Sequence, residues 1–256
     1  MPRRPRIDLP GYHHIINRGV NRTNVFSDTD DKEKFMQILC KACRVYDVIV
    51  HDYCLMDNHY HLLVENSQVN LSLFMRQVNS NYAIYYNKKT KRTGHLWQGR
   101  YSSWYILKDY YLYRTIKYIE YNPIEAGIST EIAEYPYTLG SVLLGKMDMP
   151  KCCKESMLVK QYNIDTLADF LDKALSKEEI KDLEQEKRKK ITKIKDKAVS
   201  DQKKELSCYF DSSLDKQKRN SAIVEAYKDG HTQASIAKEI GISDAMVCIV
   251  VKESRI

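Results

Sequence analysis

Asp57-Asn58-His59-Tyr60-His61-Leu62-Leu63-Val64 is the stretch from which the rest of this chain is read. Two histidines separated by one residue stand at the head of an aliphatic run. In a strand, side chains two apart share a face, so His59 and His61 present both imidazoles to one point in space. Tyr60, Leu62 and Val64 then fall on the opposite face and face a core. Neutral imidazole is the commonest metal ligand, and two from one rigid strand make half of a metal site. Taken alone, His-x-His equally describes two half-exposed strand residues, so the missing half has to be found elsewhere in the chain.

Working outward, residues 48–55 read as a strand, and the Met56-Asp57-Asn58 turn is short enough to make an antiparallel hairpin with the histidine strand. Upstream, residues 12–18 read as a first strand closed by Gly19 and a polar loop. Residues 28–31 look like a helix start, and Phe35, Ile38, Leu39, Ala42 and Val45 give residues 32–46 one apolar helical face. Downstream, Leu73, Phe74, Val78, Tyr82 and Tyr85 predict a helix over 71–88, which ends in the basic cluster Lys88-Lys89-Thr90-Lys91-Arg92. A strand over 103–107 follows. Strand, helix, strand, strand, helix, strand is the order of a ferredoxin-like α+β sandwich, an antiparallel sheet with helices on one face and the other face free for a ligand.

From Asp109 the chain reads as a helix stopped by Pro123 and Gly127. Leu112, Ile116 and Ile119 form its buried stripe. Tyr118 falls off that stripe, and Arg114 and Asn122, four residues before and after, share its face. A phenol, an amide and a guanidinium on one helical face are the complement the histidines need. Two imidazoles and one oxygen leave positions open on a divalent ion for a phosphate oxygen. A phenol, with a free pKa near ~10, is a poor nucleophile until electrostatic help lowers that value. Attack on a phosphodiester would leave a phosphotyrosine and a free 3′ hydroxyl, and rejoining would need no nucleotide. The chain has no Gly-x-x-x-x-Gly-Lys-Ser/Thr loop.

His59-Tyr60-His61-Leu62-Leu63, Gly94-His95-Leu96-Trp97-Gln98-Gly99-Arg100-Tyr101 and Lys117-Tyr118-Ile119-Glu120-Tyr121-Asn122-Pro123 stand in the order and spacing of another set of proteins. Through them the chain resembles the single-tyrosine HUH transposases, in particular the insertion-sequence-200-like group and its REP-associated branch, over roughly residues 1 to 140. The resemblance implies a catalytic domain that cuts and rejoins single-stranded or hairpin DNA through a 5′-phosphotyrosine with Mg²⁺ or Mn²⁺. It makes Tyr118 the nucleophile, His59 and His61 metal ligands, and Asn122 a further metal contact where relatives often carry Gln. Tyr110, Tyr111, Tyr113 and Tyr121 are then packing or base-stacking residues.

The formal net charge of +7 points toward a phosphate-bearing partner. DNA contacts are expected at Arg3, Arg4, Arg18, Arg22, Lys91, Arg92, Arg100, Arg114 and Lys252. Nineteen tyrosines against five phenylalanines suit base stacking between positive charges, or simply a tyrosine-built core. The seven scattered cysteines show no disulfide framework and are expected as reduced thiols, and Cys40-x-x-Cys43 lacks a matching second pair for zinc. With no apolar run of eighteen and no apolar segment after the basic amino terminus, the expected location is the cytoplasm, on the nucleoid.

The expected organisation is a catalytic domain over 1–145, a charged, partly helical connector over 146–205 that is exposed from 176 to 205, and an all-α helix-turn-helix tail over 206–256, with Gly241 at the turn and Ser243 as cap. Asp244, Ala245, Cys248 and Lys252 are expected to face outward. Two other functions stay open at this point: a regulator that binds DNA without chemistry, and a metal-dependent nuclease that uses water. Monomer and homodimer are both open.

Overall fold

The computed structural model describes residues 7–145, 147–188, 206–210, 215–228, 231 and 233–253. Strands β1 (Gly11–Arg18), β2 (Val48–Met56), β3 (His59–Asn66) and β4 (Ser102–Ile106) form one antiparallel sheet in the order β2-β3-β1-β4. The Asp57-Asn58 turn pairs Met56 with His59. It is pinned from outside: the backbone N–H groups of Val25 and Phe26 both donate to the Asp57 carbonyl, and that of Gly19 donates to the Asn58 carbonyl. The histidine strand therefore starts from a fixed point.

Helices α1 (Thr29–Tyr46) and α2 (Leu71–Lys89) cover one face of the sheet. Asp28 caps α1 by accepting from Asp31 N. Ile15, Tyr60, Leu62 and Val64 are fully buried beneath the helices, with the Phe35 and Tyr60 rings 4.8 Å apart. This is the layer, element order and sheet of the predicted ferredoxin-like fold.

The second face is not open, as expected from the sequence, because α3 (Asp109–Glu120) lies across it. Leu112, Ile116 and Ile119 are buried there, so the stripe read from the sequence is correct and its partner is the face thought to be free. Pro123 sits in the first turn of α4 (Asn122–Glu125), where a missing N–H matters little, so the chain bends there and continues. Helix α5 (Leu139–Leu144) follows, with Thr138 and Ser141 forming a reciprocal cap.

The exposure expected from 176 to 205 is corrected at its described part, where Leu183 is buried. Helices α6 (Met157–Gln161), α7 (Ile164–Asp172) and α8 (Lys177–Arg188) pack back on the catalytic domain. Ser156 Oγ donates to the His51 carbonyl at 2.6 Å, Tyr121 donates to the Leu171 carbonyl at 2.8 Å, and Leu183 of α8 is fully buried. A few apolar side chains at the right places, with polar contacts around them, replace the broad stripe whose absence suggested solvent exposure. Residues 189–205 lie outside the described residues.

Cys40 of α1 is disulfide-bonded to Cys152, which corrects the expectation that all thiols are reduced. Their separation of 112 residues hides the pairing from any local motif. Cys43, Cys54 and Cys153 are buried free thiols.

At the carboxy-terminal end, α9 (Lys216–Lys228), α10 (Gln233–Ile240) and α11 (Asp244–Glu253) bury Ile223, Ala226, Ile236, Ala237, Val247 and Val251. Gly241 has the positive φ of 67° that the turn between α10 and α11 requires, and the Ser243 hydroxyl accepts from Met246 N at 3.3 Å. Cys248 is half-buried, whereas Met246 and Ile249 face solvent. The side chains of Asp244, Ala245 and Lys252 lie outside the description. Tyr46 of α1 donates to the Tyr227 hydroxyl at 3.3 Å, linking this end of the chain to the sheet domain. Among the described residues, no helix is long and apolar enough to cross a membrane.

Candidate active site

Alternation along β3 puts His59 and His61 on the face that α3 crosses. The register pairs Arg18 with His59 and Ile16 with His61, so His14, Ile16 and Arg18 of β1 lie on that same face. His14 Nε2 is 3.0 Å from His61 Nδ1, and the two rings stack 5.2 Å apart. His59 Nδ1 donates to Asn58 Oδ1 at 2.6 Å. Tyr118 hangs from α3 above this group, its ring 5.9 Å from both the His14 and the His61 rings.

Burial keeps all three imidazoles neutral at pH 7. It pushes His14 and His61 well below the ordinary histidine value, and with help from the Arg18 charge it brings His59 down to about 4. The Tyr118 phenol is pushed up, first by burial and then by the carboxylates of Glu125 and Glu184, with Arg18 pulling the other way. The phenol is therefore held protonated, and its hydroxyl makes no hydrogen bond within the described residues.

A divalent ion needs neutral imidazoles with a free lone pair. Both His59 and His61 use Nδ1 in the contacts above, and neither Nε2 takes part in a hydrogen bond among the described residues, so this pair fits an ion. No group of three His, Cys, Asp or Glu side chains converges on one ion position among the described residues. A third ligand would have to be an amide, water or substrate oxygen. Asn122 lies one turn beyond Tyr118 and donates its amide nitrogen to the Tyr118 carbonyl at 2.6 Å, which leaves its Oδ1 as the oxygen to offer.

The other tyrosines near Tyr118 have different partners. Tyr111 is buried with its hydroxyl toward Asp182 and Glu186, Tyr113 donates to Gln161, and Tyr121 donates to the Leu171 carbonyl. Tyr110 is exposed and packs its ring 4.0 Å from that of Tyr111.

The basic residues scatter. Arg18 borders the histidines with a buried Nε that has no acceptor. Arg22 is exposed beyond β1, Lys91 is exposed beyond α2, and Arg100 is exposed just before β4. The Arg92 guanidinium donates to the His95 carbonyl at 3.3 Å. Arg114 is engaged by α8, at 2.7 Å from Asp182 and 3.2 Å from Glu179. Arg3 and Arg4 and the Lys252 side chain lie outside the description.

Two residues at the site were not singled out from the sequence. His14 carries a signal, since alternation in 12–18 aligns it with Arg18 once β1 is paired with β3. Lys187 of α8 carries none, although its Nζ lies 3.8 Å from the centroid of the Tyr118 ring.

Fold and site together define a class: a ferredoxin-like sandwich in which a histidine pair on the sheet faces a tyrosine on a crossing helix. Residues 10–122 match the family model described as Transposase IS200 like. Among solved structures, a REP-associated tyrosine transposase bound to a REP hairpin is similar at 15% identity and TM-score 0.49, over 57% of this chain and 87% of that one. A candidate transposase from Deinococcus radiodurans R1 is similar at 17% identity and TM-score 0.34, over 47% of this chain and 96% of that one. No curated protein matches the chain.

Proposed function

We propose that the protein is a single-tyrosine DNA transesterase that cuts and rejoins single-stranded or hairpin DNA. The observation that carries this reading is the approach of Tyr118 to His14 and His61 at 5.9 Å on one sheet face, inside the segment that matches the transposase family. Tyr118 Oη attacks a backbone phosphorus, the new phosphorus–oxygen bond forms to the phenol, the bond to the 3′ oxygen breaks, and that oxygen leaves as a 3′ hydroxyl after taking up a proton. Strand transfer is the reverse, with another 3′ hydroxyl attacking the phosphotyrosine. The energy of the broken bond is retained in the adduct, so no nucleotide is consumed.

Mg²⁺ or Mn²⁺ held by His59 and His61, with Asn122 as the further oxygen donor, would supply charge against the phosphoryl oxygens when bound. The chain's own residues do the rest. The sheet and α3 hold the imidazoles and the phenol on rigid elements, and Arg18, unpartnered at Nε beside His59, offers positive charge to a phosphate. Arg22, Lys91, Arg92 and Arg100 would extend contact along the backbone of the strand, and the carboxy-terminal helices would act as a helix-turn-helix DNA contact.

The test is incubation of wild type and Tyr118→Phe with labelled single-stranded DNA from the flanks of the gene, with Mn²⁺ or chelator, resolved on a denaturing gel. A metal-dependent protein–DNA adduct in wild type alone is the expected result. Equal cleavage by Tyr118→Phe would mean a hydrolase that uses water. Binding without cleavage by either would mean a regulator without chemistry.

A further inference from the structure

Helix α8 lies beyond the segment that matches the family, yet it reaches the site. It is fastened along α3 by the buried Leu183, by the Arg114 pairs to Glu179 and Asp182, and by the Tyr111 hydroxyl against Asp182 and Glu186. That fastening delivers Lys187 to the nucleophile. Its Nζ stands 3.8 Å from the Tyr118 ring centroid and 5.6 Å from the Trp104 ring.

An ammonium has three hydrogen-bond donors and a concentrated charge that water satisfies well. Among the described residues, Lys187 forms no hydrogen bond and no ion pair; Glu184 and Glu125 act on it only through space. Its surroundings are two aromatic faces, and burial lowers its pKa to about 8, so it stays mostly charged at neutral pH. A cation taken partly out of water, with no anion of its own, is a receptor for an anion. The anion whose approach the site requires is the phosphodiester, which must sit against the Tyr118 hydroxyl to be attacked.

We propose that Lys187 is a catalytic residue of this site, its ammonium binding a non-bridging oxygen of the phosphodiester that Tyr118 attacks. The proposal rests on the reading of Tyr118 as nucleophile. It adds a cation that the matched segment does not contain, and it gives α8 the task of completing the site. Charge placed where a phosphoryl group develops it accelerates transfer without any proton movement by the lysine.

Two measurements on the full chain separate this proposal from the reading beneath it. The first is binding of single-stranded DNA in chelator as a function of salt, for wild type, Lys187→Met and Lys187→Arg. Each phosphate contact on a single strand contributes about 0.7 to the slope of log affinity against log salt, so Lys187→Met is expected to lower the slope by about that amount and Lys187→Arg to keep it. The second is the single-turnover rate of adduct formation at saturating DNA. Loss of one preformed donor predicts a fall of roughly 10²–10³-fold for Lys187→Met, with substantial recovery in Lys187→Arg. Unchanged slope in Lys187→Met overturns the proposal whatever the rates are. An equal rate also overturns it, and a faster one would make α8 an obstruction. If wild type forms no adduct while the slope difference persists, the phosphate contact stands and the nucleophile reading falls.

Discussion

His14 Nε2 and His61 Nδ1 lie 3.0 Å apart, and only one of the two can carry the proton between them. If His14 donates, His61 is protonated at Nε2 and has no lone pair there for an ion. If His61 donates, its Nε2 is free and His14 fixes both its tautomer and its orientation. The second arrangement is the one a metal site requires, and such supporting partners typically govern metal affinity by about 10–100-fold. His14→Phe keeps a ring of similar size and removes the acceptor. Calorimetric titration with Mn²⁺ is expected to show binding weaker by about that factor, with unchanged circular dichroism; equal affinity would remove His14 from the site.

Asp52 of β2 and Glu120 of α3 are both buried and act on one another. Burial and the facing Glu120 carboxyl push Asp52 well above the usual carboxylate range, and burial raises Glu120 as well. A carboxyl whose folded value is raised favours the folded state below the ordinary value near ~4, and that contribution is lost as pH rises through the folded value. Asp52→Asn supplies a permanent donor to Glu120. It is expected to melt close to wild type near pH 4 and above it at pH 8, by on the order of 3 °C, the shift that about 1 kcal/mol produces in a protein of this size. Thermal scans across that range check it; parallel pH profiles for the two proteins would mean that the two carboxyls do not act on one another.

The fold was legible because its signals are local. The alternation around His59 and His61, the short Asp57-Asn58 turn and the apolar spacing in the two long helices each depend on neighbours in sequence, and each reappears in the sheet and its first layer. The His59, His61 and Tyr118 grouping was legible for the same reason, since strand and helix periods assign faces. Contacts between distant segments left no such mark. The Cys40–Cys152 link, the seat of Lys187 on Tyr118 and the docking of α8 on α3 join residues that no local pattern relates. Residues 177–188 looked solvated because Ile180 and Leu183 are the two apolar side chains among polar and charged ones, and one fully buried leucine is enough when the receiving surface is already built.

Gly140 is where α5 meets the carboxyl pair. A Cβ added there would lie 2.6 Å from Glu120 Oε2 and 2.7 Å from its Cδ. Glu120 cannot easily swing away, because its Oε1 accepts from Gly140 N at 2.6 Å and its side chain is buried. Gly140→Ala is therefore expected to destabilise by about 1–3 kcal/mol, the usual range for an overfilled interior. Urea unfolding measures it. A midpoint equal to wild type would mean that α5 shifts to accommodate the methyl group.

The attachment of α8 to α3 has two components of different strength. The Arg114 pairs are partly open to solvent, with side-chain exposures of 26% for Arg114, 38% for Glu179 and 46% for Asp182, and pairs of that kind contribute about 0–1 kcal/mol each. Leu183 is fully buried, and truncating such a leucine costs about 2–5 kcal/mol when the gap cannot close. Opening of α8 should follow the leucine: Leu183→Ala is expected to raise it by at least about 30-fold, since about 1.4 kcal/mol is a factor of ten, and Arg114→Ala, which removes both pairs, by less than about 30-fold. Limited trypsin digestion at Lys181 and Lys187, with hydrogen exchange of α8 amides as the second readout, ranks the two variants. The opposite ranking would show that the ion pairs hold the helix, and α8 would then loosen in high salt, where the apolar contact would hold.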